Sequence, residues 1–142
     1  MRPAAGAPAR WRHVARWANR LSMLSRLWMI AGALFGLMAV AMSGYAAHGL
    51  PTDRATLAMT GAQLAAWHGL ALLCTGLLAE RRQGPLPHLA AGCFTLGALG
   101  FCGGVWLRAL TEHSIGAVTP AGGAMLLAGW VLLGLGALAR SR

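Results

Sequence analysis

LAMTGAQLAAWHGLALLCTGLLA, residues 57–79, runs for 23 residues without an acid, a lysine or an arginine and stops at Glu80-Arg81-Arg82. An α-helix rises about 1.5 Å per residue, so this stretch crosses a bilayer core of roughly 30 Å. Three further runs have the same character: Leu27–Ala47, Leu89–Leu107 and Ala121–Ala139. The arginines are sorted around these four runs. With a cytoplasmic N-terminus, the inside segments hold Arg2, Arg10, Arg12, Arg16, Arg20, Arg26, Arg81, Arg82, Arg140 and Arg142, and the outside loops hold only Arg54 and Arg108. Such a bias orients membrane spans. The expected fold is an all-α membrane protein: four transmembrane helices in an antiparallel bundle, with both termini cytoplasmic.

Composition limits the rest. With 142 residues, 57% of them hydrophobic and 11% charged, the chain has room for one membrane domain and no second folded unit. A net charge of +9 would suggest nucleic acid in a soluble protein. Here the basic residues flank spans, so the expected partners are the bilayer and its anionic lipids at the cytoplasmic face, each surface arginine contributing about 1 kcal/mol. No nucleic acid is expected. Cys74, Cys93 and Cys102 all lie inside apolar runs without a CxxC pair, and they read as small buried side chains. A rival reading makes the first run a cleaved signal peptide, with Gly44-Tyr45-Ala46 as a weak cleavage site. That run is longer than a usual signal core, and cleavage would undo the charge sorting.

Residues 1–26 form an Arg-rich leader and residues 27–139 the four-span domain. Residues 1–8, rich in Ala, Pro and Gly, are expected to be disordered. On a helical wheel Trp11, Val14, Trp17, Leu21, Leu24 and Trp28 share one face, and Arg12, Arg16, Arg20 and Arg26 the other. This is the pattern of a basic amphipathic helix lying in the cytoplasmic interface; a poorly ordered leader, with Met23 as the working start, is the alternative. Pro51 and Asp53 suggest a turn or a short helix between the first two spans, with the second starting near Leu57. Gly84-Pro85-Leu86-Pro87 suggests a tight cytoplasmic turn. Pro120, after the loop Thr111–Thr119, suits the first turn of the fourth helix. Gly32 and Gly36, Gly100 and Gly104, and the heptad Gly122, Gly129, Gly136 mark stripes of close helix approach. They serve internal packing or, as a second use, homo-oligomerisation.

His68 is the unusual residue. It lies twelfth in its span, near the bilayer centre, where an ionisable group suggests function. At the same depth lie Leu37, Ala98 and Gly129–Trp130, with Thr95 about one turn inward of Ala98. An interior polar site of His68, Thr95 and Trp130 is therefore expected, serving either as an interhelical hydrogen bond or as a place where a ligand or proton is handled. At the outer surface His48, Tyr45, Arg108 and Glu112 form a second candidate set, suited to capping more than to metal binding. Haem ligation by His48 and His68 is excluded by their separation of about 16 Å along the membrane normal. All three acids, Asp53, Glu80 and Glu112, lie at span ends, which does not suit a proton-coupled exporter. No Ser-His-Asp set, phosphate loop or HExxH occurs. Neither an enzyme, nor a cofactor, nor a metal site is expected.

Three stretches carry a family resemblance: Tyr45-Ala-Ala-His-Gly-Leu50; Trp67-His-Gly-Leu-Ala-Leu72; and Phe101-Cys-Gly-Gly-Val-Trp106, followed by Thr119-Pro-Ala-Gly-Gly123 and Gly129-Trp130. Over about residues 27–139 the chain resembles the domain of unknown function 423 family, which includes YgdD-like bacterial inner-membrane proteins and the animal transmembrane protein 256. The leader falls outside the resemblance. The family usually has Tyr-Gln where this chain has Leu64-Ala65, and Ser and Tyr where it has Cys102, Gly104 and Trp106. The resemblance implies four helices and an inner-membrane address, and no established activity. The reading is a small inner-membrane protein of unknown molecular function, acting as a structural or accessory component, alone, as a homo-oligomer or with another membrane protein. The alternative is a transporter or channel subunit using the site around His68.

Overall fold

The structure, a computed structural model, describes the backbone of residues 9–81 and 84–138, with side chains from residue 23 onward. The expected disorder of residues 1–8, and Arg2, Arg82, Arg140 and Arg142 of the arginine sorting, lie outside the described residues, as do the side chains that form the two wheel faces before residue 23. Four helices follow in chain order: α1 (Ala9–Gly49), α2 (Thr52–Arg81), α3 (Leu86–Thr111) and α4 (Val118–Leu138). Each is long and apolar enough to cross a membrane. With no water in a bilayer core, the backbone must satisfy its own hydrogen bonds, and an uninterrupted helix does so.

The helices outrun the apolar stretches. α1 has 41 residues, about 60 Å, and it is unbroken between the leader and the first span. α2 begins at Thr52, not Leu57, and there is no separate short helix before it. Only Leu50 and Pro51 separate α1 from α2, and the Ala55 N–H donates to the Pro51 carbonyl at 2.8 Å. Nothing between Thr52 and Leu57 breaks a helix, and Asp53 in the first turn favours one. Hydropathy marks where a helix enters lipid; it does not mark where the helix starts.

The other joints are built by proline and by left-handed residues. The Leu89 N–H donates to the Pro85 carbonyl at 2.9 Å as α3 begins. α3 ends on Glu112, whose φ of 64° lets its N–H return to the Arg108 carbonyl at 2.9 Å. Pro120 is the third residue of α4, within its first turn.

α1 packs on α2, α2 on α3 and α3 on α4, with a lighter contact between α1 and α3. α2 and α3 are central: half of each spanning stretch is buried, against about a fifth in α1 and α4. The core is mostly alanine, with Phe35, Met42, Leu72, Phe94, Cys102, Trp106 and Leu126 as its larger members. The glycines set the spacing. A Cβ on Gly32 would lie 2.6 Å from the Gly69 carbonyl oxygen, and one on Gly122 would lie 2.4 Å from the Phe101 amide nitrogen. These are backbone-to-backbone approaches, which small residues permit in lipid where the hydrophobic effect does not press helices together. The heptad stripe of α4 faces α3: Gly122 meets its backbone, Gly129 meets the Phe94 ring, and a Cβ on Gly136 would lie 3.5 Å from the Leu86 Cβ.

Candidate functional site

Three tryptophans join the helices by hydrogen bonds at three depths. Trp28 of α1 donates its indole N–H to Nδ1 of His88 on α3 at 3.0 Å. Trp106 of α3 donates to the Ala58 carbonyl of α2 at 3.2 Å. Trp130 of α4 donates to Nε2 of His68 on α2 at 3.2 Å. Every helix takes part in at least one of these links.

The His68 link lies in the middle. An indole N–H can only donate, so His68 Nε2 accepts and Nδ1 carries the ring proton. Nδ1 in turn lies 2.7 Å from the Leu64 carbonyl of its own helix and donates to it. The hydrogen bonds thus fix one tautomer, with both nitrogens engaged. It is 5% exposed, whereas Trp130 is 48% exposed, so the indole reaches the histidine from the rim of the bundle. Phe94 completes the cluster. Its ring centroid lies 5.7 Å from His68 and 5.2 Å from Trp130, the latter edge-on, and His68 and Trp130 are 6.1 Å apart. These separations are in the favourable range for aromatic pairs. Gly129 makes room for this ring, since a Cβ there would lie 2.6 Å from the Phe94 Cδ1 and Cε1 atoms.

Of the expected interior set, the structure brings His68 and Trp130 together and leaves Thr95 apart. The Thr95 hydroxyl donates to the Ala91 carbonyl of its own helix at 2.9 Å. Thr75 does the same with Ala71 at 2.6 Å. Phe94, missed in the sequence, stands one residue from Thr95. The signal that could have found it is its i, i+4 relation to Ala98, the residue at His68's depth. Nothing in the spacing of the sequence signals the Trp28–His88 pair, whose members lie 60 residues apart.

The second candidate set divides. Arg108 and Glu112 lie together at the end of α3, but His48 and Tyr45 do not join them. His48 is exposed at the end of α1, and the Tyr45 ring lies over Gly49, 2.7 Å from where a Cβ would be. Asp53 and Arg54 stand there instead, because the two-residue joint after α1 leaves the start of the central α2 beside the end of α3. Arg54 and Glu112 form an ion pair. With Asp53, Leu57 and Arg108 they line an open cavity of about 500 Å³. The side chains of the pair are 34% and 67% exposed, so it contributes on the order of 0–1 kcal/mol to stability. Among the described residues no three His, Cys, Asp or Glu side chains converge as metal ligands. Cys74, Cys93 and Cys102 are free thiols, with only Cys102 fully buried.

The Trp106 link gives a first prediction. Trp106 fits against Gly61, where a Cβ would lie 2.5 Å from the indole nitrogen. Trp106→Phe keeps most of the ring and removes the donor, so it should cost about 0.5–1.5 kcal/mol of stability. A thermal melt in detergent reads this as a lowered midpoint, and an unchanged midpoint would refute the link.

A family model described as a protein of unknown function (DUF423) matches residues 42–123, from late α1 to early α4. Among curated relatives, the inner membrane protein YgdD of Escherichia coli K12, of the UPF0382 group, is 33% identical over 125 residues, covering 84% of this chain and 95% of its own length. The UPF0382 membrane protein YwdK of Bacillus subtilis is 31% identical over 114 residues, covering 76% of this chain and 93% of its own. A UPF0382 membrane protein of Staphylococcus epidermidis is 33% identical over 113 residues, covering 76% and 92%. No solved structure matches the chain.

Proposed function

From the premise that this chain belongs to the DUF423 family of membrane proteins of unknown function, we propose that it is a structural or accessory component of the bacterial inner membrane. It performs no catalysis and needs no cofactor. The observation that carries this reading is the state of His68. A histidine that binds a ligand needs a free nitrogen, and one that relays protons needs a titratable group or a water beside it; here the Leu64 carbonyl and the Trp130 indole, neither of which exchanges a proton at ordinary pH, occupy both nitrogens. The most function-like residue of the sequence acts as an interhelical hydrogen bond, the usual use of polar side chains between spans.

The helices run antiparallel with both termini cytoplasmic. The order of helix contacts supports the first point: Gly76 lies against Ser25 and Met29, and Gly69 against Gly32 and Phe35, so α2 descends as α1 rises. The arginine distribution supports the second. In this orientation the Arg-rich leader contacts anionic lipids at the cytoplasmic face. Reporter fusions test the orientation. A phosphatase reporter active only outside the cytoplasm should be silent in the 82–85 joint and after residue 142, and active in the 112–117 loop. Activity in the 82–85 joint would refute it. The accessory role is tested by placing the purified chain in proteoliposomes under a pH gradient: wild type should carry no flux above empty vesicles. A flux abolished by His68→Gln would overturn the proposal in favour of a transporter.

A further inference from the structure

The half of α2 that starts at Thr52 carries polar side chains on a face turned out of the bundle. Thr56, Thr60 and Gln63 follow one another at helical spacing, and all three are exposed. The two hydroxyls are already satisfied: Thr56 donates to the Thr52 carbonyl and Thr60 to the Thr56 carbonyl, each at 3.0 Å. Gln63 is different, because its carboxamide has no hydrogen-bond partner among the described residues. It is five residues from His68, about 7–8 Å along the helix, so with His68 central it lies about 7 Å inside the hydrocarbon. A carboxamide facing lipid there, with donors and acceptor unmet, is costly.

Beside Gln63 the surface is hollow. A groove of about 430 Å³ runs between α1 and α2, lined by Ala46, Ala47, Ala55, Met59 and Gln63 among others. Alanines let a neighbouring helix approach, and no charged side chain lines this groove.

We propose that two copies of this chain associate through this face of α2, with the Gln63 carboxamides of the two copies hydrogen-bonded to each other. A carboxamide is both donor and acceptor and so complements itself. Two copies inserted with the same orientation meet about a two-fold axis along the membrane normal, which puts identical residues opposite each other at one depth. Gln63 then faces the partner's Gln63, and the grooves give both helices room to close. The proposal rests on the membrane-spanning reading, so its test uses only protein that resists carbonate extraction; failure to insert would count against that reading and not against the interface.

The full-length chain, labelled with donor and acceptor fluorophores at its C-terminus, is reconstituted in phosphatidylethanolamine–phosphatidylglycerol vesicles and diluted with lipid. Energy transfer above random proximity should persist for wild type and Gln63→Asn. Gln63→Leu should need about tenfold higher protein density to reach the same transfer. A second measurement locates the face. In a Cys74→Ala, Cys93→Ala, Cys102→Ala background, Thr56→Cys should oxidise to a band of twice the monomer mass, whereas Val40→Cys and Leu127→Cys, at positions 74% and 70% exposed on α1 and α4, should not. The proposal is overturned if wild type shows no specific transfer, if Gln63→Leu matches wild type, if Val40 or Leu127 gives the dimer instead, or if Thr56→Cys crosslinks only to a foreign protein.

Discussion

Gly122→Ala should destabilise the chain by about 1–3 kcal/mol, the usual cost of overpacking a well-packed contact, and lower the thermal midpoint in detergent accordingly. The added Cβ would stand 2.4 Å from the Phe101 amide nitrogen, 2.8 Å from the Gly100 carbonyl carbon and 2.9 Å from the Gly97 carbonyl oxygen. All three are backbone atoms of α3, so no rotamer change can relieve the clash. The helices must separate, and α4 carries Trp130 away from His68 as they do. Gly134→Ala on the same helix is the matched control, because a Cβ there meets nothing within 4 Å; it should leave the midpoint unchanged or raise it, since alanine favours a helix over glycine. Equal melting of the two variants would mean that α3 and α4 do not touch at Gly122.

The second large effect is expected at the histidine. His68→Ala removes the acceptor of the Trp130 indole and the ring that packs on Phe94 and Trp130. Leaving the indole N–H unpaired costs about 1–3 kcal/mol, and the lost ring contacts add about 0.5–1.5 kcal/mol per pair. Trp130→Phe removes the donor and keeps a ring in place, so it should cost less. The informative number is the coupling between the two. Melting His68→Ala, Trp130→Phe and the double variant should give a coupling of about 0.6–1.7 kcal/mol, between the average and the largest value found for interhelical hydrogen bonds in membrane proteins. Additive losses would show that the two side chains do not act as a pair.

Depth was legible in the sequence and rotation was not. Counting residues from the span ends put Trp130 at the level of His68, and the structure joins them at 3.2 Å. The same counting favoured Thr95. Thr95 and Phe94 are nearly equal in depth, but successive residues on a helix point about 100° apart. Packing turns Phe94 toward the histidine, and the Thr95 hydroxyl bonds its own helix. Similarly, Arg108 and Glu112 stand together at one end of α3, as residues one helical turn apart must. Their neighbours proved to be Asp53 and Arg54 of α2, in place of Tyr45 and His48 of α1, since which helix end stands beside α3 depends on the order of packing.

By itself, then, the sequence determined that there are four helices able to span a membrane, about how far each apolar stretch runs, and the level within its own span at which His68 lies. Bilayer thickness and the helical rise impose those quantities on any chain of this pattern. Only the tertiary structure decided which faces meet: the glycine stripe of α4 on α3, Phe94 between histidine and indole, Gln63 turned outward. In a soluble protein hydropathy separates inside from outside. Here lipid tails are as apolar as the side chains, so the difference between a buried and an outward face lies in shape and in hydrogen bonds, and neither exists until the helices are set against one another.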